Sequence, residues 1–245
     1  MQVGGSVGWR GAALVLVILA AAFAFSDRSE EGPVEDSPST ASPAKGTEPV
    51  DASAAHGFDF WVLSLSWSPS YCEVEGENAN RQQCESGRRY AFVVHGLWPQ
   101  YERGWPEDCA TDEPSVDNAT LSSLYDIMPS AGLIRHQWRK HGTCSGLSQD
   151  DYFRVLRAAR ERVEIPGAYA KATTWRMIDP NQIERDFLSD NNGLMENALA
   201  VTCDDRYLRE VRMCLTIGLD YRPCPEVDRR SCTLTRAAMP SARGR

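Results

Sequence analysis

The sequence predicts an α+β domain in which a central antiparallel sheet is flanked by helices and stapled by disulfides. Three observations lead to this fold class: four runs rich in β-branched and aromatic residues, a block of helical pattern between the second and third runs, and eight cysteines. Strands separated by a block of helices are typical of α+β folds, whereas regular alternation indicates a parallel sheet. One catalytic domain is predicted over residues 56–235, because so short a segment rarely forms two domains.

Residues 1–25 are predicted to be a secretory signal peptide. Arg10 precedes an uninterrupted apolar run from Ala12 to Phe25, with small residues near the expected cleavage site after Ala24. The run is shorter than the about 20 residues of a spanning helix, so an uncleaved anchor is the weaker alternative. We therefore expect a secreted or periplasmic protein, monomeric and with no stable membrane association after signal cleavage.

Residues 26–55 are predicted to be a disordered acidic linker. Their composition is dominated by Ser, Pro, Ala, Glu and Asp, and too few apolar residues are present to offset the entropy of ordering. Residues 1–55 hold seven acidic and three basic residues, so −4 of the net charge of −8 belongs there and −4 to the remainder. The folded part is only mildly acidic, and a basic tail is expected at residues 236–245.

The strands are predicted from period-two patterns and β-rich runs bounded by Gly or Pro. In chain order the segments are GFDFWVLSLSWSP (57–69), RRYAFVVHGLWP (88–99), ALAVTCDD (198–205) and VRMCLTIGLDY (211–221). Helices are predicted from apolar residues recurring every three or four positions. These segments are DNATLSSLYDIMP (117–129), AGLIRHQWRKHG (131–142), SQDDYFRVLRAARERVEIP (148–166) and NQIERDFLSDNNG (181–193). Ser148 followed by Asp151 resembles a capping box.

The even number of cysteines in an exported chain predicts a disulfide framework. A zinc site is the competing interpretation, but the shortest spacing, from Cys224 to Cys232, is far from the C-x₂-C of structural zinc sites. Eight cysteines allow 105 pairings, which spacing alone leaves open. The cysteines are Cys72, Cys84, Cys109, Cys144, Cys203, Cys214, Cys224 and Cys232.

The segment HQWRKHGTC, residues 136–144, concentrates polar chemistry on one helix. At 100° per residue His136, Gln137, Lys140 and His141 fall on one face, while Trp138 points elsewhere and is expected to dock the helix on the core. A solvated basic face is the ordinary interpretation of such a run. Two features favour a site instead. His95 stands where a strand ends in Gly-Leu-Trp-Pro, and Cys144 can pin the end of the helix.

The spacing excludes two hydrolase classes. A zinc protease needs H-E-x-x-H, whereas five positions separate His136 from His141, and residues 56–235 contain no G-x-S-x-G elbow for a serine hydrolase. Two imidazoles and a lysine suit metal-free phosphodiester transfer, in which one histidine is the base, the other the acid, and the cation stabilises the phosphorane. Trp98, Tyr101 or Trp105 would supply a stacking surface for an unpaired base, with a core role as the alternative.

The segments FVVHGLWPQ and HQWRKHGTC resemble the two active-site segments of the ribonuclease T2 family of secreted acid ribonucleases, and FDFWVLSLSWSPSYC resembles its first core strand. The resemblance implies a metal- and cofactor-independent endoribonuclease that converts single-stranded RNA to 2′,3′-cyclic phosphates and then 3′-phosphates. It also implies a role for each matching residue. His141 would be the base and His95 the acid. His136 would bind phosphate and the base-side substrate, Lys140 would stabilise the pentavalent intermediate, and Trp98 would stack on a base.

The resemblance further implies the cysteine pairs Cys72–Cys84, Cys109–Cys144, Cys203–Cys232 and Cys214–Cys224. The chain departs from the family at Gln137, where glutamate is usual. At Gln100 the family often has an acidic or amide residue that reads the first base, so the base preference stays open. We expect Gln137 to hydrogen-bond a phosphate oxygen without shuttling a proton. The alternative function is a catalytically weakened RNA- or partner-binding protein, which the retention of all four basic residues of the site disfavours.

Overall fold

The computed structural model describes residues 51–171 and 173–241. Its strands are β1 Phe60–Trp67, β2 Phe92–Gln100, β3 Arg176–Ile178, β4 Leu199–Cys203, β5 Leu208–Leu215 and β6 Ala237–Met239. Its α-helices are α1 Ser68–Glu75, α2 Arg81–Cys84, α3 Asn118–Leu124, α4 Ala131–Lys140, α5 Gln149–Glu161, α6 Pro180–Asp190 and α7 Pro225–Asp228. The predicted signal peptide and most of the predicted linker lie outside the described residues. No helix within the described ranges is long and apolar enough to cross a membrane.

The main sheet is antiparallel with the strand order β2-β1-β5-β4, and β3 pairs with β6 in a second, two-stranded sheet. Helices flank the sheet, so the predicted α+β class is confirmed. All four predicted strands and all four predicted helices are present. The elements α1, α2, β3, α7 and β6 were not predicted. The last four have three or four residues and carry little periodic signal, and α1 has no clear apolar face.

Strand β1 is buried on both faces, and its side chains alternate between them. One face contributes to the main core under the helices, through Trp61, Leu63, Leu65 and Trp67. On the other face, Phe60 and Val62 join a small cluster with Cys214 and Val227, and Ser64 and Ser66 continue the row. This second face therefore changes from apolar to polar along the strand, and the polar half supports the candidate site.

Helix α4 is anchored by the residue that the sequence predicts. Trp138 is 1% exposed, packs in the main core and donates a hydrogen bond from its indole nitrogen to the carbonyl of Glu113 at 2.6 Å. The side chain of Ser130 caps the helix by accepting from the Leu133 amide at 3.2 Å, as Ser148 does for α5 with the Asp151 amide. The polar face of α4 is thus held at a defined orientation to the sheet.

Both predicted domain boundaries are wrong by a few residues. Ala52 and Ala55 are buried in the main core, so the folded part begins before residue 56. Strand β6 is also buried and pairs with β3, so residues 237–239 belong to the domain and not to a tail. Small apolar residues in a polar context carry too weak a pattern to indicate that tertiary contacts will cover them.

The described residues contain four disulfides and no free cysteine. The pairs are Cys72–Cys84, Cys109–Cys144, Cys203–Cys232 and Cys214–Cys224, the same pairs that the family resemblance implies. Cys109–Cys144 joins the loop that follows β2 to the single turn of 3₁₀ helix, Gly142–Cys144, behind α4. This disulfide fixes that loop beside the end of the histidine helix.

Candidate active site

His95 occupies a β-bulge in β2. Ser64 of β1 pairs with Gly96, whereas the next residue, Leu65, pairs with Val94, so His95 is the extra residue of the bulge. Bulges redirect a side chain out of the regular alternation and are frequent beside active sites. The His95 side chain is 35% exposed, so it is partly covered and still open to a ligand.

Glu210 of β5 contacts His95 across the face of β1 that carries Ser64 and Ser66, and Arg212 contacts Glu210. Glu210 pairs with Ser66 and Arg212 with Ser64, and these small side chains leave room above β1. Oε1 of Glu210 is hydrogen-bonded to Nδ1 of His95, and Oε2 accepts from Nε and Nη2 of Arg212 at 2.8 and 2.6 Å. Burial raises the pKa of Glu210, but the hydrogen bond from His95 and the charge of Arg212 outweigh it and lower the pKa to about 2.

Trp98 connects β2 to α4, the two elements that lead to the histidines of the site. Its indole nitrogen donates to Oε1 of Gln137 at 2.8 Å, and its ring centroid lies 5.5 Å from those of both His95 and His141. A Cβ at Gly96 would lie 2.1 Å from Oε1 of Gln137, so only glycine allows this close approach. The bond explains why Gln137 is 1% exposed.

The predicted common face of the helix is therefore only partly correct. His136 is exposed and Lys140 is partly exposed, but Gln137 points inward to Trp98. The helix ends at Lys140, and His141 is its C-cap residue with φ −125° and ψ −48°. The expectation that Gln137 hydrogen-bonds a substrate phosphate disagrees with its burial, since a side chain that is 1% exposed offers a phosphate no surface to contact.

His141 is 8% exposed, and its Nδ1 has no hydrogen-bond partner among the described residues. Burial, followed by the positive charges of Lys140, His136 and His95, lowers its pKa to about 4. Partial burial and the charges of Arg139 and Lys140 also lower the pKa of His136. A neutral imidazole at His141 over most of the acid range is what a general base requires.

Lys140 forms an ion pair with Glu107 of the disulfide-anchored loop, with Nζ and Oε2 3.2 Å apart. The indole nitrogen of Trp105 donates to the same oxygen at 3.3 Å. The hydrogen bond from Lys140 lowers the pKa of Glu107, which is largely solvent-exposed. The partner of Lys140 is therefore an exposed carboxylate that another anion can displace.

Two cavities open at the candidate site, one beside His95 and one beside His141. A cavity of about 120 Å³ is lined by His95 and Glu210 together with Tyr71, Ser130 and Arg209. A cavity of about 210 Å³ is lined by Trp98, Gln100, Trp105, Lys140, His141 and Arg230. Gln100 is 6% exposed, and its amide nitrogen donates to the carbonyl of Gly104 at 2.9 Å, which orients its side chain at the edge of the second cavity.

Three charged residues of the site, Glu210, Arg212 and Glu107, were not predicted from the sequence. A signal for the first two was present, because Glu210 and Arg212 are charged residues two apart on an otherwise apolar strand and must share one face. Glu107 lies in a loop with no periodic pattern. Within the described ranges, no group of three or more His, Cys, Asp or Glu side chains is arranged to hold a metal ion.

An antiparallel α+β fold with two histidines beside one tryptophan, and a lysine next to the second histidine, defines the class of protein to which this chain is related. The chain belongs to the ribonuclease T2 family, whose sequence model matches residues 58–224. It is 44% identical over 110 residues to a ribonuclease of Aeromonas hydrophila, covering 45% of this chain and 48% of that protein. The chain spans about half the length of the curated relatives that it matches first.

Solved structures share the fold. An RNase-related protein from Calystegia sepium superposes with a TM-score of 0.61 at 22% identity, covering 77% of this chain and 100% of that one. RNase NT, solved in complex with 5′-AMP, superposes with a TM-score of 0.54 at 24% identity, covering 69% of this chain and 92% of that one.

Proposed function

We propose that this protein is an endoribonuclease that cleaves single-stranded RNA by transesterification without a metal ion. His141 takes the proton of the 2′-hydroxyl, and the 2′-oxygen attacks phosphorus. His95 gives a proton to the departing 5′-oxygen, which leaves a 2′,3′-cyclic phosphate. Water then opens the cyclic phosphate to a 3′-phosphate with the two histidines in reversed roles.

The observation that carries this proposal is the convergence of His95 and His141 on Trp98, each with its ring centroid 5.5 Å from the indole. The two imidazoles come from different elements and both lie against this indole. The pKa of about 4 suits His141 to the role of base. A neutral base and a separate proton donor are the pair that the reaction needs.

The remaining residues supply charge and binding. Lys140 stabilises the charge on the phosphorane once the phosphate displaces Glu107, and the exposed His136 binds phosphate on the base side. In the cavity beside His141, Trp98 stacks on an unpaired base and Gln100 reads its edge. Gln137 contributes by holding Trp98 rather than by touching the substrate.

Single-stranded RNA is the favoured substrate because stacking requires an unpaired base and a mildly acidic domain is a weak ligand for duplex phosphates. The 5′-AMP complex of RNase NT supports a nucleotide ligand for this fold. The apolar N-terminal run and the four disulfides support an exported protein, secreted or periplasmic. A monomer stays part of the proposal.

The test is digestion of single-stranded RNA by the purified, oxidised protein from acid to mildly alkaline pH with EDTA present, with the product ends identified by mass. We expect cyclic-phosphate ends that later become 3′-phosphates. His95→Ala and His141→Ala should each lose at least about 100-fold in rate, the contribution typical of a general acid or base.

His56→Ala is the matched control, because the His56 ring lies against Gly146 and lines neither cavity. It should retain activity. Absence of cleavage at every pH by a protein with all cysteines paired would overturn the proposal and favour a binding role. Cleavage that survives both active-site variants would overturn the assignment of the histidines.

A further inference from the structure

The carboxylate that the family usually places on the histidine helix is absent at Gln137, yet a buried carboxylate reaches the site from the opposite side. The Glu210 side chain is 10% exposed, and each of its oxygens has a partner. Oε1 faces Nδ1 of His95 and Oε2 faces Arg212. A carboxylate held at both oxygens has little rotational freedom, so it can define the orientation of the imidazole.

Glu210 is ionised at working pH and can only accept hydrogen bonds. Nδ1 of His95 must then be the donor in both the neutral and the charged imidazole. The remaining nitrogen, Nε2, is left to carry the exchangeable proton. A neutral histidine with its hydrogen on Nδ1 is the less common form in water and persists where a fixed acceptor selects it.

The strand register explains why Glu210 reaches His95 from a non-adjacent strand. Glu210 pairs with Ser66 of β1, and the β2 bulge turns His95 over the same serine side. A large side chain at Ser66 would fill the space between the two groups. Arg212, on the same face of β5 as Glu210, lies with its guanidinium carbon 5.2 Å from the Trp98 ring centroid. Glu210 and Arg212 therefore connect His95 to Trp98.

We propose that Glu210 is a positioning residue that acts through His95, holding Nε2 toward the 5′-oxygen that leaves. This inference rests on the proposed function. In the first step the O2′–P bond forms and the P–O5′ bond breaks, His141 gains the proton of the 2′-hydroxyl, and Nε2 of His95 loses its proton to the 5′-oxygen. Nδ1–H stays bonded to Glu210 throughout.

The test separates leaving groups by their need for a proton. The leaving group of a dinucleotide is a nucleoside 5′-alkoxide, which needs a proton from the acid. The leaving group of a nucleoside 3′-(4-nitrophenyl phosphate) is 4-nitrophenolate, which is stable without that proton. On the dinucleotide, Glu210→Gln should lower kcat by at least about 10-fold with little change in KM, and His95→Ala by about 100-fold or more. On the nitrophenyl substrate both losses should shrink to about threefold or less.

The double variant His95→Ala/Glu210→Gln should be no slower than His95→Ala, because Glu210 has nothing to position once the imidazole is gone. Glu184→Gln is the matched control: Glu184 is a half-buried glutamate that accepts from the Val201 amide at 3.1 Å and lines neither cavity. It should retain activity on both substrates. Equal losses of Glu210→Gln on both substrates, or additive losses in the double variant, would overturn the inference.

A second measurement needs no variant. Long-range ¹H–¹⁵N NMR of the wild-type protein, at a pH where the histidines are neutral, should show His95 with its hydrogen on Nδ1. A hydrogen on Nε2 would overturn the inference even where Glu210→Gln fails to fold. A wild-type protein that cleaves RNA while Glu210→Gln is unaffected overturns this inference alone. A wild-type protein that cleaves nothing overturns the proposed function as well.

Discussion

The indole nitrogen of Trp98 donates a hydrogen bond to Oε1 of Gln137 at 2.8 Å, and this bond joins the strand that carries one catalytic candidate to the helix that leads to the other. Gln137 is buried, so its amide serves the architecture of the site. A glutamine can accept this bond without placing a negative charge beside His141 and Lys140. The departure from the family pattern therefore has a physical consequence that can be measured.

We predict that Gln137→Glu moves the acid limb of the kcat/KM profile to higher pH. A carboxylate beside an imidazole favours its charged form, so the pKa of His141 rises from about 4 by about one unit or more, and the base is protonated sooner on acidification. Rates from pH 3 to 8 measure the shift. Gln182→Glu, on the exposed side of α6, is the control. An unmoved acid limb contradicts this account of His141.

We predict that His141 makes folding stability depend on pH between about 4 and 6.5. Its folded pKa lies below its ordinary value of 6.5, so the unfolded state binds the extra proton and stability falls as pH drops through this window. The loss amounts to about 3 kcal/mol at pH 4. Glu210, with its folded pKa near 2, adds a separate loss below pH 4.5.

Urea unfolding at a series of pH values tests this dependence. His141→Asn should flatten the slope between pH 6.5 and 4 and leave the fall below pH 4.5 in place. His56→Asn should leave both unchanged. A wild-type slope in His141→Asn would contradict the predicted burial of a neutral imidazole.

We predict that Gly96→Ala damages both stability and activity. The added Cβ would lie 2.1 Å from Oε1 of Gln137 and 2.4 Å from Nε1 of Trp98, so the buried bond must break or β2 must shift. We expect a loss of about 1–3 kcal/mol, typical of overpacking, and a fall in kcat/KM because His95 is the preceding residue. Gly132→Ala, whose Cβ meets only Ser130 Oγ at 3.8 Å, should be neutral or stabilising. Comparable behaviour of the two variants would contradict the prediction.

We predict that the double substitution Cys109→Ser/Cys144→Ser raises KM as well as lowering stability. The disulfide spans 35 residues, and its loss should cost about 2–4 kcal/mol. It also releases the loop that carries Trp105 and Glu107 beside Lys140. Removing Cys72–Cys84, which spans 12 residues and contacts neither cavity of the site, should lower stability without raising KM. Steady-state kinetics and thermal unfolding distinguish the two effects.

We predict that Glu107→Gln lowers KM for RNA a few-fold at low ionic strength. The Glu107 carboxylate pairs with Lys140 at 3.2 Å and competes with the substrate phosphate for that cation. Both groups are partly exposed, so the advantage should shrink as salt screens them. Glu102→Gln removes an exposed carboxylate paired with Arg222 instead and should leave KM unchanged. An increase in KM would show that Glu107 assists substrate binding.

Local patterns were sufficient for much of this protein. Four strands and four helices follow from residue periodicity, and Trp138 docks α4 as its angular position predicts. The prediction of one shared polar face on α4 was only half correct. A turn of 100° per residue places side chains on an arc, but it does not indicate which element packs against that arc. Gln137 lies on the predicted face and is nevertheless buried, since Gly96 brings β2 unusually close.

By itself, the sequence determined the fold class and the residues that form the basic half of the candidate site, since these depend on short-range spacing. Only the tertiary structure decided which carboxylates meet them. Glu210 lies 115 residues from His95 along the chain, and their contact depends on the register of three strands and on one bulge. Register is set by the packing of whole strands, so no local pattern around either residue could have indicated the pair.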